Sequence, residues 1–194
     1  MADDTAPGAE PLFFERSGDL ERWLEEHHRA FSALWLRIAK KGSGITSVTA
    51  SEVIDAALCY GWIDGQRKSL DATCYLQRIS PRRPASPWSL VNVRRVEALT
   101  AAGRMREPGL AEVRAAREDG RWETAYPSQK EATVPADLAA ALAGAPRAAE
   151  RFGRLGRTDR YLVILQLLRA RTPGLRAARL ERMVTRLVSG DKVP

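Results

Sequence analysis

Thr49-Ala-Ser-Glu-Val-Ile-Asp-Ala-Ala-Leu-Cys-Tyr-Gly-Trp-Ile-Asp-Gly-Gln-Arg-Lys-Ser-Leu70, with Thr73-Cys-Tyr-Leu-Gln-Arg-Ile79 close behind, carries the pattern that decides the fold. Val53, Ile54, Ala57 and Leu58 fall on one face at helical spacing, so the first half reads as a helix from a Thr49 cap to about Tyr60. Gly61 stands where a helix ends in a left-handed residue. From Trp62 the period changes to two. Residues 62–70 and 73–79 alternate apolar with polar and predict a two-stranded hairpin turning near Asp71. Helix followed directly by hairpin gives an α+β domain with a short antiparallel sheet.

The same reading extends outward. Residues 1–11, with two prolines and several charges, read as a flexible arm. Leu20, Trp23 and Leu24 mark an amphipathic helix over 19–28, with Ser17 or Asp19 as its cap. Residues 33–39 form a buried strand, stopped by Lys40-Lys41-Gly42-Ser43-Gly44. Downstream, Ser80 to Pro87 is a basic, proline-rich loop. Ser86 and Pro87 serve as cap and first residue of a helix to about Ala102, with Leu90, Val93, Val96 and Leu99 inward. A helix over Glu107 to Glu118 ends at Asp119-Gly120. Everything after a 127–135 linker is helical: 135–143, 147–152, a helix from Thr158 or Asp159, and a last one from Thr172-Pro173 to Gly190. The expected organisation is an arm (1–11), an α+β domain (12–126), a linker (127–135) and a basic helical C-terminal module (136–194).

Of the 194 residues, 44% are hydrophobic and 28% charged, which excludes a disordered or fibrous chain. No apolar run reaches the roughly 18–20 residues of a membrane span. The acidic start lacks the basic and apolar regions of an export signal, which points to a cytoplasmic protein. Cys59 and Cys74 have no metal-site spacing, and His27 and His28 are adjacent to each other, so neither a metal nor another cofactor is expected. The net charge of +7 is uneven: residues 147–194 hold 12 Lys/Arg against 4 Asp/Glu, while residues 1–146 hold 19 against 20. Basicity therefore belongs to the tail.

Residues 57–68, then Tyr75-Leu-Gln-Arg-Ile-Ser-Pro-Arg-Arg83, then Ser86-Pro-Trp-Ser with Asn92 and Arg95, resemble the YdeI/OmpD-associated, bacteriocin-protection family. The tail Thr172-Pro-Gly-Leu-Arg-Ala-Ala-Arg-Leu-Glu-Arg-Met-Val184 is similar to that family's C-terminal helical module, although Pro173-Gly-Leu-Arg176 stands where relatives often have Pro-Glu-Thr-Arg. The resemblance covers roughly residues 13–190. It implies an association with tolerance of cationic antimicrobial peptides and with an outer-membrane porin, and a front domain grouped with small α/β domains of the YjbR/frataxin-like type. It brings no established reaction and no catalytic residue.

Chemistry concentrates in residues 62–92. On a regular strand Trp62, Asp64, Gln66 and Lys68 share one face, and Tyr75 and Gln77 share a side of the partner strand, with Arg78 on the other. The loop adds Arg82 and Arg83, and the next helix adds Trp88 and Asn92. So polar a face reads as a pocket wall for an anionic or aromatic ligand, gripped by Lys68, Arg82 and Arg83 and stacked on Trp62 or Trp88. The competing reading is a solvent-facing sheet with both tryptophans as apolar anchors. Three functions follow. The first is a small-molecule or peptide binding and protection protein of the resistance type. The second is an enzyme on a natural-product-like substrate, with Asp64 as acid/base. The third is a nucleic-acid or partner binder using the tail arginines Arg169, Arg171, Arg176, Arg179, Arg182 and Arg186. Binding and protection is the favoured expectation.

Overall fold

The computed structural model describes residues 10–191; most of the expected 1–11 arm lies outside them. The elements follow as β1 (Leu12–Phe13), α1 (Ser17–His27), β2 (Leu34–Ala39), α2 (Ala50–Cys59), β3 (Trp62–Ser69), β4 (Cys74–Pro81), α3 (Leu90–Ala101), α4 (Glu107–Glu118), α5 (Ala136–Ala143), α6 (Pro146–Arg154), α7 (Arg157–Leu168) and α8 (Pro173–Ser189). The fold class is α+β. By contacts the chain forms two compact units. One runs through Trp88 and resumes over Asn92–Thr124; the other comprises Ser89–Val91 and the chain from Ala125.

Helix α2 begins with a full capping box. The Thr49 hydroxyl accepts from the Glu52 N–H at 3.3 Å, and the Glu52 carboxylate accepts from the Thr49 N–H at 2.7 Å. The Thr49 N–H, and the Thr49 hydroxyl donating to the same carboxylate oxygen at 2.8 Å, hold the Glu52 carboxyl below its ordinary pKa. Gly61 follows the helix with φ +75°, where a Cβ would lie 2.9 Å from the Pro108 carbonyl. At Asp71 the hairpin turn is closed by one carboxylate oxygen, which accepts from the N–H groups of Thr73 and Cys74, both at 2.7 Å.

The sheet has four strands in the order β1-β2-β4-β3. Strand β4 pairs antiparallel with both β3 and β2, and β1 pairs parallel with β2. The sheet is therefore mixed rather than purely antiparallel. Two residues are too few to show a period of two, which is why Leu12–Phe13 is silent in the sequence. Helices α1 and α2 pack together, and α2 packs on β3 and β4. Leu20, Leu24, Leu36, Val53, Ala56, Ala57 and Ile79 are fully enclosed, each larger side chain contributing about 1.5–3 kcal/mol of burial. Gly109 lets α4 touch the end of α2, because any Cβ there would lie 2.4 Å from the Cys59 carbonyl oxygen.

Helix α3 starts at Leu90, not at the Ser86-Pro87 cap that the sequence suggests. The carbonyls of Ser86 and Pro87 instead accept from Arg82, and Ser89 bridges to Tyr126. The cap signature is overridden by tertiary bonds.

In the other unit, Leu138, Leu142, Ala148, Phe152, Val163, Ile164, Leu167, Met183 and Leu187 make one apolar core from α5, α6, α7 and α8. Thr172 caps α8 by accepting from the Leu175 N–H, and Gly190 ends it with φ +86°.

Candidate functional site

The expected alignment of Trp62, Asp64, Gln66 and Lys68 on one face is corrected by a β-bulge between Asp64 and Arg67. Trp62 and Asp64 oppose Pro81 and Ile79, but beyond the bulge Arg67 opposes Gln77 and Lys68 opposes Leu76. Opposed residues share a face, so Lys68 lies on the other side of the sheet from Trp62 and Asp64. Gln77 explains how the bulge is kept. Its buried amide donates to the carbonyls of Gly65 at 3.3 Å, Gln66 at 3.4 Å and Arg78 at 3.1 Å, and its carbonyl accepts from the Arg67 Nε at 3.0 Å. Arg67 also lies 4.7 Å above the Tyr75 ring.

Arg82 and Arg83 diverge. Arg83 is exposed. Arg82 is 6% exposed, stacks 3.8 Å from the centre of the Trp88 ring and donates to the Pro87 carbonyl at 2.9 Å. Trp88, itself buried, meets Trp122 edge-on at 4.9 Å, and Arg117 lies over Trp122 at 5.3 Å. Trp62 is sealed in the core, and Asn92 is half-buried on α3. The structure thus brings Arg82 to Trp88 and Gln77 to the Gln66 backbone. It carries Lys68 to the opposite face of the sheet and leaves Arg83 exposed. Burial pushes the Cys59 thiol up to about 11, which leaves it protonated and unreactive at neutral pH.

A second cluster lies in the helical unit. On α8, Arg179, Arg182, Met183 and Arg186 recur at i, i+3, i+4 and i+7, and they face Leu162, Leu165, Gln166 and Arg169 of α7 and its end across a groove of about 490 Å³. Met183 and Leu165 form an apolar floor. Arg169 is positioned by the Tyr126 hydroxyl at 3.0 Å, and Arg179 donates to the Gln166 carbonyl at 2.6 Å. The side chains of Arg182 and Arg186 are exposed, and among the described residues they make no hydrogen bond or ion pair. Among the described residues, no carboxylate lines the groove. Arg176, one of the tail arginines named from the sequence, turns away to Asp137. The sequence marks the arginines but not Leu162 or Gln166, which lie off the apolar face of α7.

Two family models match the chain. One, described as a domain of unknown function (DUF8412), covers residues 12–112, more than half of the sequence. The chain belongs to this family. The second, described as bacteriocin-protection, YdeI or OmpD-associated, covers residues 131–190 and includes the whole α7–α8 groove. The resemblance read from the sequence is thus supported for the C-terminal module, whereas the Trp62–Asn92 motif falls within the DUF8412 match. No curated protein and no solved structure matches. Among the described residues, no helix is long and apolar enough to cross a membrane, and no three His, Cys, Asp or Glu are grouped to hold a metal ion.

Proposed function

We propose that this protein is a binding protein whose ligand is a small amphiphilic anion held in the α7–α8 groove. The observation that carries this reading is the pair Arg182 and Arg186, one turn apart and without a hydrogen-bond or ion-pair partner among the described residues, beside a floor of Leu165 and Met183. Guanidinium groups with unused N–H donors match phosphate or carboxylate oxygens in two-point geometry. The floor matches an aliphatic or aromatic body, and a volume of about 490 Å³ suits a small molecule. The same charge repels a cationic peptide, so a protective role for the module works through an anionic small molecule and not through direct capture of such a peptide.

The test is thermal shift and calorimetry on the full chain with naphthyl phosphate, octyl phosphate, benzoate and inorganic phosphate, and a cationic peptide as control. At about 100 times its dissociation constant a ligand adds roughly 2.7 kcal/mol, a rise of several degrees for a chain of this size. The phosphate esters are expected to stabilise most, and Arg182→Ala with Arg186→Ala to abolish the shift. A shift that survives the double substitution, or one given only by the cationic peptide, overturns the reading.

A further inference from the structure

The strand register divides the four-stranded sheet into two faces. Leu34, Leu36, Ile38 and Ile79 share the helix-covered face and are buried. The register places Phe13, Trp35, Arg37, Ala39, Ile63, Lys68, Cys74, Leu76, Arg78 and Ser80 on the opposite side. There Arg37 and Lys68 are exposed, Phe13, Leu76 and Arg78 are half-buried, and Cys74 and Trp35 are buried, Trp35 being 9% exposed with Lys68 over its ring.

Three properties of this face occur together. It carries two aromatic rings, each roofed by a cation: Arg37 lies 4.7 Å from the centre of Phe13, and Lys68 lies 4.6 Å from that of Trp35. It carries a third cation, Arg78, directly opposite Trp35 on the neighbouring strand. None of its ten residues is acidic, and among the described residues the side chains of Arg37, Lys68 and Arg78 form no ion pair or hydrogen bond. The Arg78 Nε is sealed from solvent without a partner.

We propose that this face binds single-stranded nucleic acid. The site is separate from the α7–α8 groove and does not depend on it. Flat rings take unpaired bases by stacking, and cations beside the rings take the phosphates that join those bases. Phe13 and Trp35 sit on adjacent strands two residues out of register, about 8 Å apart by strand geometry, a span that neighbouring bases of an extended strand can bridge. On binding, the roofing ammonium of Lys68 moves from the Trp35 ring to a phosphate, and a base takes its place. A duplex keeps its base faces stacked inside and gains only the phosphate contacts.

The experiment is fluorescence anisotropy of the full chain with labelled dT12, rU12 and a duplex of equal length, at several salt concentrations. The single strands are expected to bind at low salt, with a slope of log K against log salt of about −2 for three phosphates neutralised. The duplex should bind at least tenfold more weakly. Arg37→Ala with Lys68→Ala, both at exposed positions, should weaken single-strand binding at least tenfold and flatten the slope, with an unchanged melting temperature as the folding control. Arg182→Ala with Arg186→Ala should leave it unchanged. Absence of binding at low salt, equal affinity for the duplex, or loss of binding in the Arg182/Arg186 variant alone overturns the proposal.

Discussion

Arg176 grips Asp137 at two points, with Nε 2.6 Å from one carboxylate oxygen and Nη2 2.9 Å from the other, and its remaining terminal nitrogen donates to the Leu167 carbonyl at 3.0 Å. One side chain on α8 thereby ties down α5 and the end of α7. The Arg176 hydrogen bonds hold the Asp137 carboxyl below its ordinary 3.8. As pH falls the unfolded chain takes up the proton first, so the pair's contribution is complete above about pH 5 and is lost below pH 4 as the folded carboxyl titrates. Both groups are about one-third exposed, which limits the contribution to about 1 kcal/mol. Urea midpoints of wild type and Asp137→Asn should differ at pH 7 and draw together as pH is lowered below 4. Parallel curves would show that the pair is not the source.

Arg82 holds the loop between β4 and α3 through its stack on Trp88 and its bond to Pro87. Removing a buried planar cation with these partners is expected to cost about 2–3 kcal/mol in Arg82→Ala. Arg82→Lys should recover little, since an ammonium cannot stack as a plane. Arg83→Ala, at the neighbouring exposed position, should change stability by less than about 0.5 kcal/mol. Equal effects on the denaturation midpoint would contradict this division.

Gly109 and Gly18 both lie in helices, but only Gly109 faces backbone at close range. A Cβ at 109 would stand 2.4 Å from the Cys59 oxygen and 2.5 Å from the Leu58 oxygen, neither of which can rotate away. Gly109→Ala is expected to force α4 off α2 at a cost of about 3 kcal/mol. Gly18→Ala meets nothing within 4 Å and should be neutral or stabilising by about 0.5 kcal/mol. Thermal denaturation of the two variants decides this, and a stable Gly109→Ala protein would refute the close approach.

Where the sequence was legible, a local rule and the tertiary structure agreed. The Thr49 and Thr172 caps, the Gly61 and Gly190 stops and the Trp62–Ile79 hairpin all rest on neighbours in the chain. The illegible parts depend on distant partners. The bulge that moves Lys68 off the Trp62 face is kept by Gln77, ten or more residues away. Arg82 reads like Arg83 until Trp88 folds onto it. The Leu162–Gln166 wall of the groove has no periodic signal, because α7 gives its regular face to the core and only its margin to the arginines of α8.

The end of α8 offers a coupling that can be measured. Arg151 donates through Nη1 to the Leu187 and Val188 carbonyls, both at 3.1 Å, which supplies partners that a helix C-terminus lacks. Gly190 follows with φ +86°, and a Cβ there would fall 2.3 Å from the same Nη1. Gly190→Ala therefore acts twice. It adds about 1 kcal/mol of left-handed strain and displaces the guanidinium. Arg151→Ala alone should cost about 1 kcal/mol. In the double variant the displacement has nothing left to displace, so the combined cost should fall short of the sum by about 0.5–1 kcal/mol. Strict additivity in urea denaturation would mean that Arg151 does not sit over Gly190 in solution.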